Sequence, residues 1–260
     1  MDTYKHDQKQ YMDRMNQTAL SKFDLLKPYL NPTVKILDFG SGYSPDFIEA
    51  VRQTGASYTA YDKSATIQET LRTHGIPFLS KEELRSSKER FDIVFLSSVF
   101  HELVSYLSPE EYKQTLDTLV GILKSGGLLI VRDWANPNDD SISTIPLKAQ
   151  TKQEVFTWIN ALEQNNIFKQ VVTKSDTLYA SQRDLYQIVF HTVWGLGSLE
   201  RESKETYDVT DAIGSLSLAY GLTLVSYHAE YDESYLEHLK KYFSIRTLPF
   251  ATKGIWVFRK

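Results

Sequence analysis

The stretch VKILDFGSGYSPD, residues 34–46, decides the fold. Its first part has the pattern of a short buried strand that ends at Gly40. Gly40 and Gly42 predict a turn in which backbone amides can approach a ligand without an intervening Cβ. The Ser-Pro-Asp triplet at 44–46 supplies an N-cap, a first-turn proline and an acid that the helix dipole favours. Strand, glycine turn and helix in this order are typical of a nucleotide-binding sheet.

The alternation of strands and helices continues on both sides of this stretch. A helical stripe of apolar side chains covers residues 7–30. Capping signals at Ser64, Ser80 and Ser108 predict helices between the later strands. Four further strands are predicted, at residues 57–62, 76–79, 91–98 and 128–134. Such alternation predicts right-handed crossovers and a parallel sheet covered on both faces.

The pattern changes between Ala135 and Gly221, where helical signals dominate and hardly any strand is predicted. Thr151 and Glu154 have the spacing of a capping box. Residues 181–194 have the spacing of an amphipathic helix. Two last strands, with a short charged helix between them, are predicted at 222–228 and 253–258. The sequence therefore predicts an α/β sheet interrupted by a helical insertion.

The composition excludes several classes of chemistry. The 260 residues include no cysteine, which excludes disulfides, thiolate zinc sites and any Cys nucleophile. A formal net charge of -4 gives no global attraction to nucleic acid or to an anionic membrane. The histidines form no close pair at ligand spacing, so we predict no metal. No apolar run could cross a bilayer and the N-terminus lacks a signal core, which together predict a cytoplasmic protein.

The spacing of acids around the glycine turn indicates the kind of ligand. Ligands of open α/β sheets bind beyond the carboxyl ends of the strands. Asp62 ends the second predicted strand, where a carboxylate can accept both ribose hydroxyls of an adenosine. Pro45 replaces the third glycine of the dinucleotide fingerprint, and Asp38 would repel a pyrophosphate but attract an ammonium group. An NAD-type oxidoreductase is therefore the disfavoured alternative.

Four segments together resemble the motifs of class I S-adenosylmethionine (SAM)-dependent methyltransferases. They are ILDFGSGYSPD at 36–46, YDKS at 61–64, FDIVFLSSVFHEL at 91–103 and LKSGGLLIVRDW at 123–134. The resemblance implies a Rossmann-like, seven-stranded, mostly parallel sheet of order 3-2-1-4-5-7-6 with strand 7 antiparallel. It also implies SAM as the cofactor. The implied domains are a helical lid at 1–30, a cofactor-binding core at 31–134 and 222–260, and an acceptor-binding insertion at 135–221.

The resemblance assigns roles to residues at matching positions. The implied cofactor-binding residues are Asp38, Gly40 and Gly42 along the methionine portion, Asp62 and Lys63 at the ribose, and Ser97 and Ser98 at the end of the fourth strand. In the N-terminal helix, Tyr11 and Arg14 lie one turn apart, and Arg14 would meet the cofactor carboxylate. A solvated helix residue is the alternative for Arg14.

Methyl transfer from a sulfonium is an in-line displacement that disperses positive charge. Positioning supplies most of the catalysis, and a general base is needed only when the acceptor must lose a proton. His101 is the candidate base, because a helix starting there would lower the pKa of its imidazole. A packed histidine bonded to the backbone is the alternative. Arg132 and Asp133, ending the fifth strand, would either grip the acceptor or pair with each other.

The acceptor stays open, as either a nitrogen or an oxygen of a small polar molecule or of RNA. Residues 151–221 carry six Lys or Arg against nine Asp or Glu, so they form no basic groove. Their aromatic side chains would either stack a planar group or form the core of the insertion. If the sheet folds alone, deleting the insertion leaves cofactor binding intact. A catalytically inactive regulatory or scaffold protein that binds SAM is the alternative function, and no feature indicates the oligomeric state.

Overall fold

A seven-stranded sheet forms the centre of the computed structural model, which describes residues 18–260. Its strands, numbered along the chain, are β1 (Lys35–Phe39), β2 (Ser57–Tyr61), β3 (Phe78–Leu79), β4 (Phe91–Ser97), β5 (Leu123–Trp134), β9 (Thr223–Glu230) and β10 (Lys253–Arg259). The order is β3-β2-β1-β4-β5-β10-β9. The first five strands are parallel, and β10 runs antiparallel to both β5 and β9. The predicted order with its antiparallel strand 7 is confirmed.

Helices cover both faces of this sheet. They are α1 (Ala19–Leu26), α2 (Pro45–Gln53), α3 (Ala65–Thr73), α4 (Lys81–Ser86), α5 (Phe100–Tyr106), α6 (Pro109–Ile122) and α12 (Ser234–Lys240). Ser80 and Ser108 form complete capping boxes with Glu83 and Glu111. Each box satisfies two helix-terminal donors, which is why these helices begin where the sequence predicts. Residues 7–17 of the predicted N-terminal helix lie outside the described residues.

Each face of the sheet buries its own apolar layer, because successive residues of a strand point to opposite faces. In β1, Ile36 packs into one layer and Leu37 into the other. In β4, Phe95 and Leu96 divide in the same way. Burial on both faces is typical of central parallel strands. The polar residues that follow these strands therefore meet at the carboxyl edge of the sheet.

The insertion contains a small antiparallel sheet, so the prediction of hardly any strand there is wrong. Its strands are β6 (Ile142–Pro146), β7 (Val171–Lys174) and β8 (Thr177–Ser181), in the order β6-β8-β7. Its helices are α7 (Lys152–Gln164), α8 (Gln182–His191), α9 (Leu199–Glu202), α10 (Thr210–Gly214) and α11 (Leu216–Tyr220). β6 pairs with β8, although α7 and β7 lie between them in the sequence. Pairing at that distance depends on tertiary context, which a local pattern does not report.

Three local features differ from the sequence pattern. Thr151 forms no capping box, because its Oγ1 donates instead to the backbone oxygen of Lys241 at 2.8 Å. α8 is the predicted amphipathic helix, but residues 184–191 are buried on every side, so its polar face lies inside the insertion and not in solvent. β5 starts at Leu123 rather than residue 128, because Leu123 already pairs with Phe91 of β4.

Candidate active site

Two glycines shape the turn after β1. Gly40 has a φ of 72° and Gly42 of 55°, in the left-handed region that favours glycine. The N–H groups of Gly40 and Ser41 donate to the carbonyl oxygen of Tyr61, at 2.8 and 3.0 Å, and tie the turn to β2. A Cβ on Gly40 would lie 2.6 Å from Cγ2 of Val99. Only glycine fits between the ends of β1 and β4 at this point.

Asp62 is held by the same turn. Its Oδ2 accepts the N–H of Gly42 and its Oδ1 accepts the N–H of Ser64, each at 2.9 Å. Burial raises the pKa of the Asp62 carboxyl, and the two backbone hydrogen bonds offset this shift only in part. Each carboxylate oxygen has two lone pairs, so both oxygens keep capacity for a ligand hydroxyl. The geometry suits a pair of neighbouring hydroxyls.

A cleft of about 1140 Å³, partly open to solvent, lies beside this turn. Its apolar walls include Tyr61, Leu84, Val99 and Leu103. The ring of Tyr61 stacks on Phe39, with 4.6 Å between the ring centroids and 14° between the ring planes. An apolar cleft beside a few convergent polar groups is typical of a small-molecule site.

Charged side chains border the same cleft. Lys63 Nζ lies 2.8 Å from Oε2 of Glu102 and 5.6 Å from the ring centroid of Tyr106. Lys81 and Arg85 line the rim on the side of α4. The Lys63–Glu102 ion pair joins the end of β2 to α5.

The end of β4 carries two unusual serines. Ser98 has a φ of 56°, which costs energy for a residue with a Cβ and is held by its N–H bond to the oxygen of Arg132 at 2.7 Å. Ser97 Oγ is buried and has no hydrogen-bond partner among residues 18–260. Backbone strain and an unsatisfied hydroxyl at one strand end are features of ligand sites.

Asp38 lies beneath the turn and is nearly inaccessible. The Tyr58 hydroxyl donates to its Oδ2 at 2.7 Å. Burial raises the pKa of the Asp38 carboxyl to about 6, although the Tyr58 hydroxyl and the Lys22 ammonium oppose this shift. At neutral pH the carboxylate form therefore predominates.

His101 is buried between two carboxylates. Its Nδ1 lies 2.8 Å from Oδ1 of Asp133, and its Nε2 lies 3.4 Å from Oε2 of Glu205. Burial alone would lower the pKa of the imidazole, but the two carboxylates outweigh it and raise the pKa to about 10. The predicted lowering is wrong, because the helix dipole is minor beside two adjacent charges. A protonated imidazole accepts no proton at neutral pH, so the contacts favour a packed histidine, whose ring nitrogens contact carboxylates rather than the backbone.

Arg132 and Asp133 point to opposite faces of β5, so of the two alternatives the pairing with each other is wrong. Arg132 Nε lies 3.0 Å from Oε2 of Glu230 on β9. Asp133 is fully buried, and its Oδ2 accepts the N–H groups of Phe100 and His101 at 2.7 and 3.1 Å. Burial raises the pKa of the Asp133 carboxyl, but the charged His101 outweighs this effect and lowers it to about 2. Asp133 thus caps α5, with its hydrogen-bonding capacity used inside the protein.

The structure brings only part of the predicted site together. The predicted site residues that line the cleft are Gly40, Asp62, Lys63, Ser97 and Ser98. The predicted site residues that are described but do not line it are Asp38, Gly42, His101, Arg132 and Asp133. Tyr11 and Arg14 lie outside the described residues.

Sequence analysis missed several residues of the site. Tyr61 precedes the predicted residue Asp62, and Val99 follows the predicted residue Ser98. An aromatic or β-branched side chain next to a predicted ligand residue is a usable signal for a cleft wall. Tyr106 and Glu205 carry no such signal. Glu205 reaches His101 from the far end of the insertion.

A family model described as "Methyltransferase domain" matches residues 4–171, more than half of the chain. The chain belongs to this methyltransferase family. The match confirms the resemblance read from the sequence, and with it an enzyme family that uses SAM. It covers β1–β5 of this methyltransferase, whereas β9 and β10, which complete the sheet, lie beyond it. A search of curated proteins gives no match.

Several solved structures share the fold of this methyltransferase. A SAM-dependent methyltransferase from Archaeoglobus fulgidus is 13% identical, with a TM-score of 0.53 over 98% of this chain and 100% of that chain. A mycolic acid cyclopropane synthase complexed with SAH and CTAB is 11% identical, with a TM-score of 0.54 over 93% and 84% of the two chains. A glycopeptide N-methyltransferase complexed with S-adenosyl-L-homocysteine (SAH) is 8% identical, with a TM-score of 0.50 over 94% and 90%. At these identities the likeness establishes the Rossmann-like fold.

Between residues 18 and 260, no helix has the length and apolar character needed to cross a membrane. Over the same range, no three His, Asp or Glu side chains are grouped as metal ligands.

Proposed function

We propose that the protein transfers a methyl group from SAM to a nitrogen or oxygen atom of a polar acceptor. The observation that carries the proposal is the coupling of the Gly40 turn to Asp62. The turn at Gly40 has no room for a Cβ, and Gly42 in the same turn donates to Asp62. The backbone of the turn and a carboxylate with free lone pairs therefore lie side by side. That combination suits an adenosyl group whose chain continues past the turn.

The residues of the cleft fit the parts of SAM in turn. Asp62 would accept the two ribose hydroxyls. The apolar walls at Tyr61, Val99 and Leu103 would hold adenine, and the space above Gly40 would take the chain that leads to the sulfonium. Ser97 Oγ, unsatisfied within the described chain, lies at the edge of this cleft toward β5 and is left for a ligand bound beside SAM. The negative charge of Asp38 favours an ammonium group in its neighbourhood.

The protein contributes mainly position and exclusion of water. When bound, SAM supplies an electrophilic methyl group on a sulfonium. The bonds from Gly40 and Ser41 to Tyr61, and from Gly42 to Asp62, fix the turn before any ligand arrives. A preformed site loses little conformational freedom on binding and can hold reacting groups in line.

We further propose that His101 removes no proton from the acceptor. It is charged at neutral pH, and its Nδ1 is engaged by Asp133. Asp133 is likewise committed to capping α5, so we withdraw both residues from the catalytic set and assign them to positioning. Residues 135–221, which pack on Trp134 at the end of β5 through Tyr207, are proposed as the acceptor-binding region.

Methyl transfer can be tested with SAM labelled in its methyl group. The purified protein is incubated with labelled SAM and either a small-metabolite extract or total RNA. We expect label to appear in one acceptor fraction, with release of SAH, and the Asp62→Ala variant to lose it. The matched control is Asp117→Ala, which removes an exposed carboxylate on α6. Binding of SAH without transfer to either fraction would support the inactive binding protein instead.

A further inference from the structure

Polar side chains lie at or near one end of five neighbouring strands, and the strand pairing places them on one face of the sheet. They are Asp38 on β1, Ser97 on β4, Arg132 on β5, Lys253 on β10 and Glu230 on β9. The register places Ser97 beside Arg132 and Lys253 beside Glu230. All but Glu230 are less than one-tenth exposed. A buried row of this kind is costly unless its members pair with one another or with a ligand.

Lys253 is the charged member of the row with the weakest pairing. It is 3% exposed, and its Nζ lies 3.5 Å from the ring centroid of Trp134. Among residues 18–260, no carboxylate oxygen lies within 4 Å of this ammonium group. Burial lowers the pKa of Lys253 to about 7, Asp133 opposes the shift, and Arg132 and Lys22 add to it. A buried ammonium without a close counter-charge is stabilised by an anion that reaches it.

The neighbours of Lys253 offer further hydrogen-bond donors. Arg132 uses its Nε for Glu230, which leaves the four N–H groups of its two Nη atoms without a recorded bond inside the described chain. Ser97 Oγ is buried and unsatisfied in the same part of the chain. A guanidinium fork, an ammonium group and a hydroxyl in one row make a donor set for an oxyanion.

We infer that this row binds a carboxylate group of the methyl acceptor, with Lys253 and Arg132 holding the charge. The inference rests on the proposed function and deepens it, because it names the acceptor class as a small carboxylate-bearing molecule rather than RNA. β4 pairs with β1, whose turn forms the proposed cofactor site, and Ser97 near the end of β4 is the member of the row that lines the cleft. An acceptor held at this row would therefore adjoin the methyl group.

The local charge balance favours a singly charged ligand. Among residues 18–260, the cations in and around the row are Lys22, Arg132, Lys253 and the protonated His101, and the carboxylates are Asp38, Asp133, Glu230 and Glu205. A monoanionic carboxylate adds one negative charge to this balanced set of described residues. A phosphate dianion adds two, and the carboxylates repel it more strongly. The row should thus select a carboxylate over a phosphate.

Binding of benzoate tests the inference directly, with benzamide and inorganic phosphate as the neutral and dianionic probes. Ligand-observed NMR is recorded on the full chain, with and without saturating SAH. We expect benzoate to bind in both conditions, at least about tenfold more tightly than either other probe, as a charge-assisted bond requires. Loss of benzoate binding on adding SAH would overturn the inference, because the row would then serve the carboxylate of the cofactor. Preference for phosphate would overturn it in favour of an RNA or nucleotide acceptor.

The Lys253→Met variant assigns the effect to this residue. It removes the charge, keeps most of the apolar stem and relieves a buried ammonium, so we expect it to fold, as circular dichroism would verify. Benzoate affinity should fall about tenfold or more while SAH affinity stays unchanged. Lys113→Met, on the exposed side of α6, is the matched control and should change neither. Equal benzoate affinity of wild type and Lys253→Met would refute the assignment. Failure of the wild type to bind SAH, with benzoate binding intact, would refute the proposed function alone.

The pH dependence provides a second readout. The groups that set the charge of Lys253 are Asp133 and Arg132 on β5, Lys22 on α1 and Glu230 on β9. Lys253 loses its proton as the pH rises through about 7. Benzoate affinity of the wild type should therefore fall between pH 6 and pH 8.5. That of Lys253→Met should fall less over the same range, because Lys253 no longer titrates, whereas the pKa values of Asp38, about 6, and Lys22, about 8, still lie within it. A wild-type affinity that rises with pH would contradict the account.

Discussion

Asp62 serves both the fold and the proposed ligand with one carboxylate. Its bonds to Gly42 and Ser64 hold the turn that β1 feeds, and its remaining lone pairs face the cleft. Burial raises the pKa of its carboxyl, because a buried carboxylate has lost part of its hydration free energy. Hydrogen bonds to ligand hydroxyls would offset part of that loss.

Replacing this carboxylate should therefore weaken cofactor binding strongly. For Asp62→Ala we expect a loss of about 3 kcal/mol, or about a hundredfold in SAH affinity, from two charge-assisted bonds. Calorimetric titration with SAH measures it. The control Asp117→Ala should stay within about twofold of wild type, since exposed ion pairs contribute little. A change of less than about threefold in Asp62→Ala would remove the ribose assignment.

Gly40 tests the turn itself. For Gly40→Ala we expect a stability loss of about 2 kcal/mol, because φ is positive and the new Cβ would press on Val99. SAH binding should be lost as well, since the turn must move. Gly121→Ala is the matched control, because nothing lies within 4 Å of its Cβ position on α6. It should raise stability by up to about 1 kcal/mol. Urea unfolding and calorimetry give both numbers, and a Gly40→Ala variant that behaves like wild type would contradict the close fit.

At the scale of elements, α5 is the joint between the insertion and the cleft. Its N-terminus is capped by Asp133. Its last turn is tied to the insertion, because Ser105 Oγ accepts the N–H of Thr206 at 2.9 Å and the Tyr106 hydroxyl donates to Glu205 at 2.9 Å. Glu102, Leu103 and the same Tyr106 line the cleft. Movement of the insertion would therefore move one cleft wall.

Glu205→Gln tests this joint through its pH dependence. The pKa of His101 is about 10 in the folded protein against an ordinary value of 6.5. Its stabilisation is therefore complete below pH 6.5 and is lost as the pH rises through 10. We expect Glu205→Gln to lower the free energy of unfolding by about 3 kcal/mol at pH 7.5, because a buried charge loses one partner. The difference in the free energy of unfolding between wild type and Glu205→Gln should be smaller at pH 10.

The Tyr106→Phe variant is the control for this measurement. It removes one hydrogen bond to Glu205 and leaves every charge in place, so it should cost about 1 kcal/mol at both pH values. Urea unfolding at pH 7.5 and pH 10 gives the comparison. If the free energy of unfolding of Glu205→Gln differs from that of wild type by as much or more at pH 10 as at pH 7.5, His101 is not the titrating group.

Which elements the sequence predicts depends on how local their causes are. β1, β4 and the capping boxes at Ser80 and Ser108 follow from adjacent residues, and the structure confirms them. β6 and the buried sides of α8 depend on partners far along the chain, so their sequence patterns were misleading. Thr151 and Glu154 have the residue types and spacing of a capping box, but the Thr151 hydroxyl donates to the backbone oxygen of Lys241 and makes no capping hydrogen bond within its own helix.

The candidate site divides in the same way. The turn and Asp62 could be predicted, because their spacing follows from strand, turn and strand. The surroundings of His101 could not, since one carboxylate comes from β5 and the other from the insertion. Lys253 has only a weak sequence signal for a site, because it is a charged residue at the start of an otherwise apolar strand.

At the scale of the whole molecule, the insertion and the sheet share one core. Trp134 of β5 stacks on Tyr207 of the insertion, with 4.3 Å between the ring centroids. The Tyr186 hydroxyl accepts the N–H of Ala135 at 2.8 Å and donates to the oxygen of Thr252 at 3.1 Å. These contacts argue against the expectation that the sheet folds without residues 135–221.

We therefore expect one cooperative unfolding transition. Urea unfolding followed by far-ultraviolet circular dichroism and by tryptophan fluorescence should give coincident curves. Deletion of residues 135–221 should yield an unfolded or aggregated chain, because it exposes the apolar side of β5 and the ring of Trp134. Two separate transitions, or a folded deletion variant that still binds SAH, would show that the insertion is an independent unit.

The claim that the β1 turn and Asp62 form a SAM site is tested most directly by calorimetric titration of the wild-type chain with SAH and, in parallel, with NAD⁺. The account predicts saturable binding of one SAH per chain and no heat of binding with NAD⁺, because Asp38 disfavours a pyrophosphate near the turn. Binding of NAD⁺, or no binding of SAH by a folded chain, would contradict it.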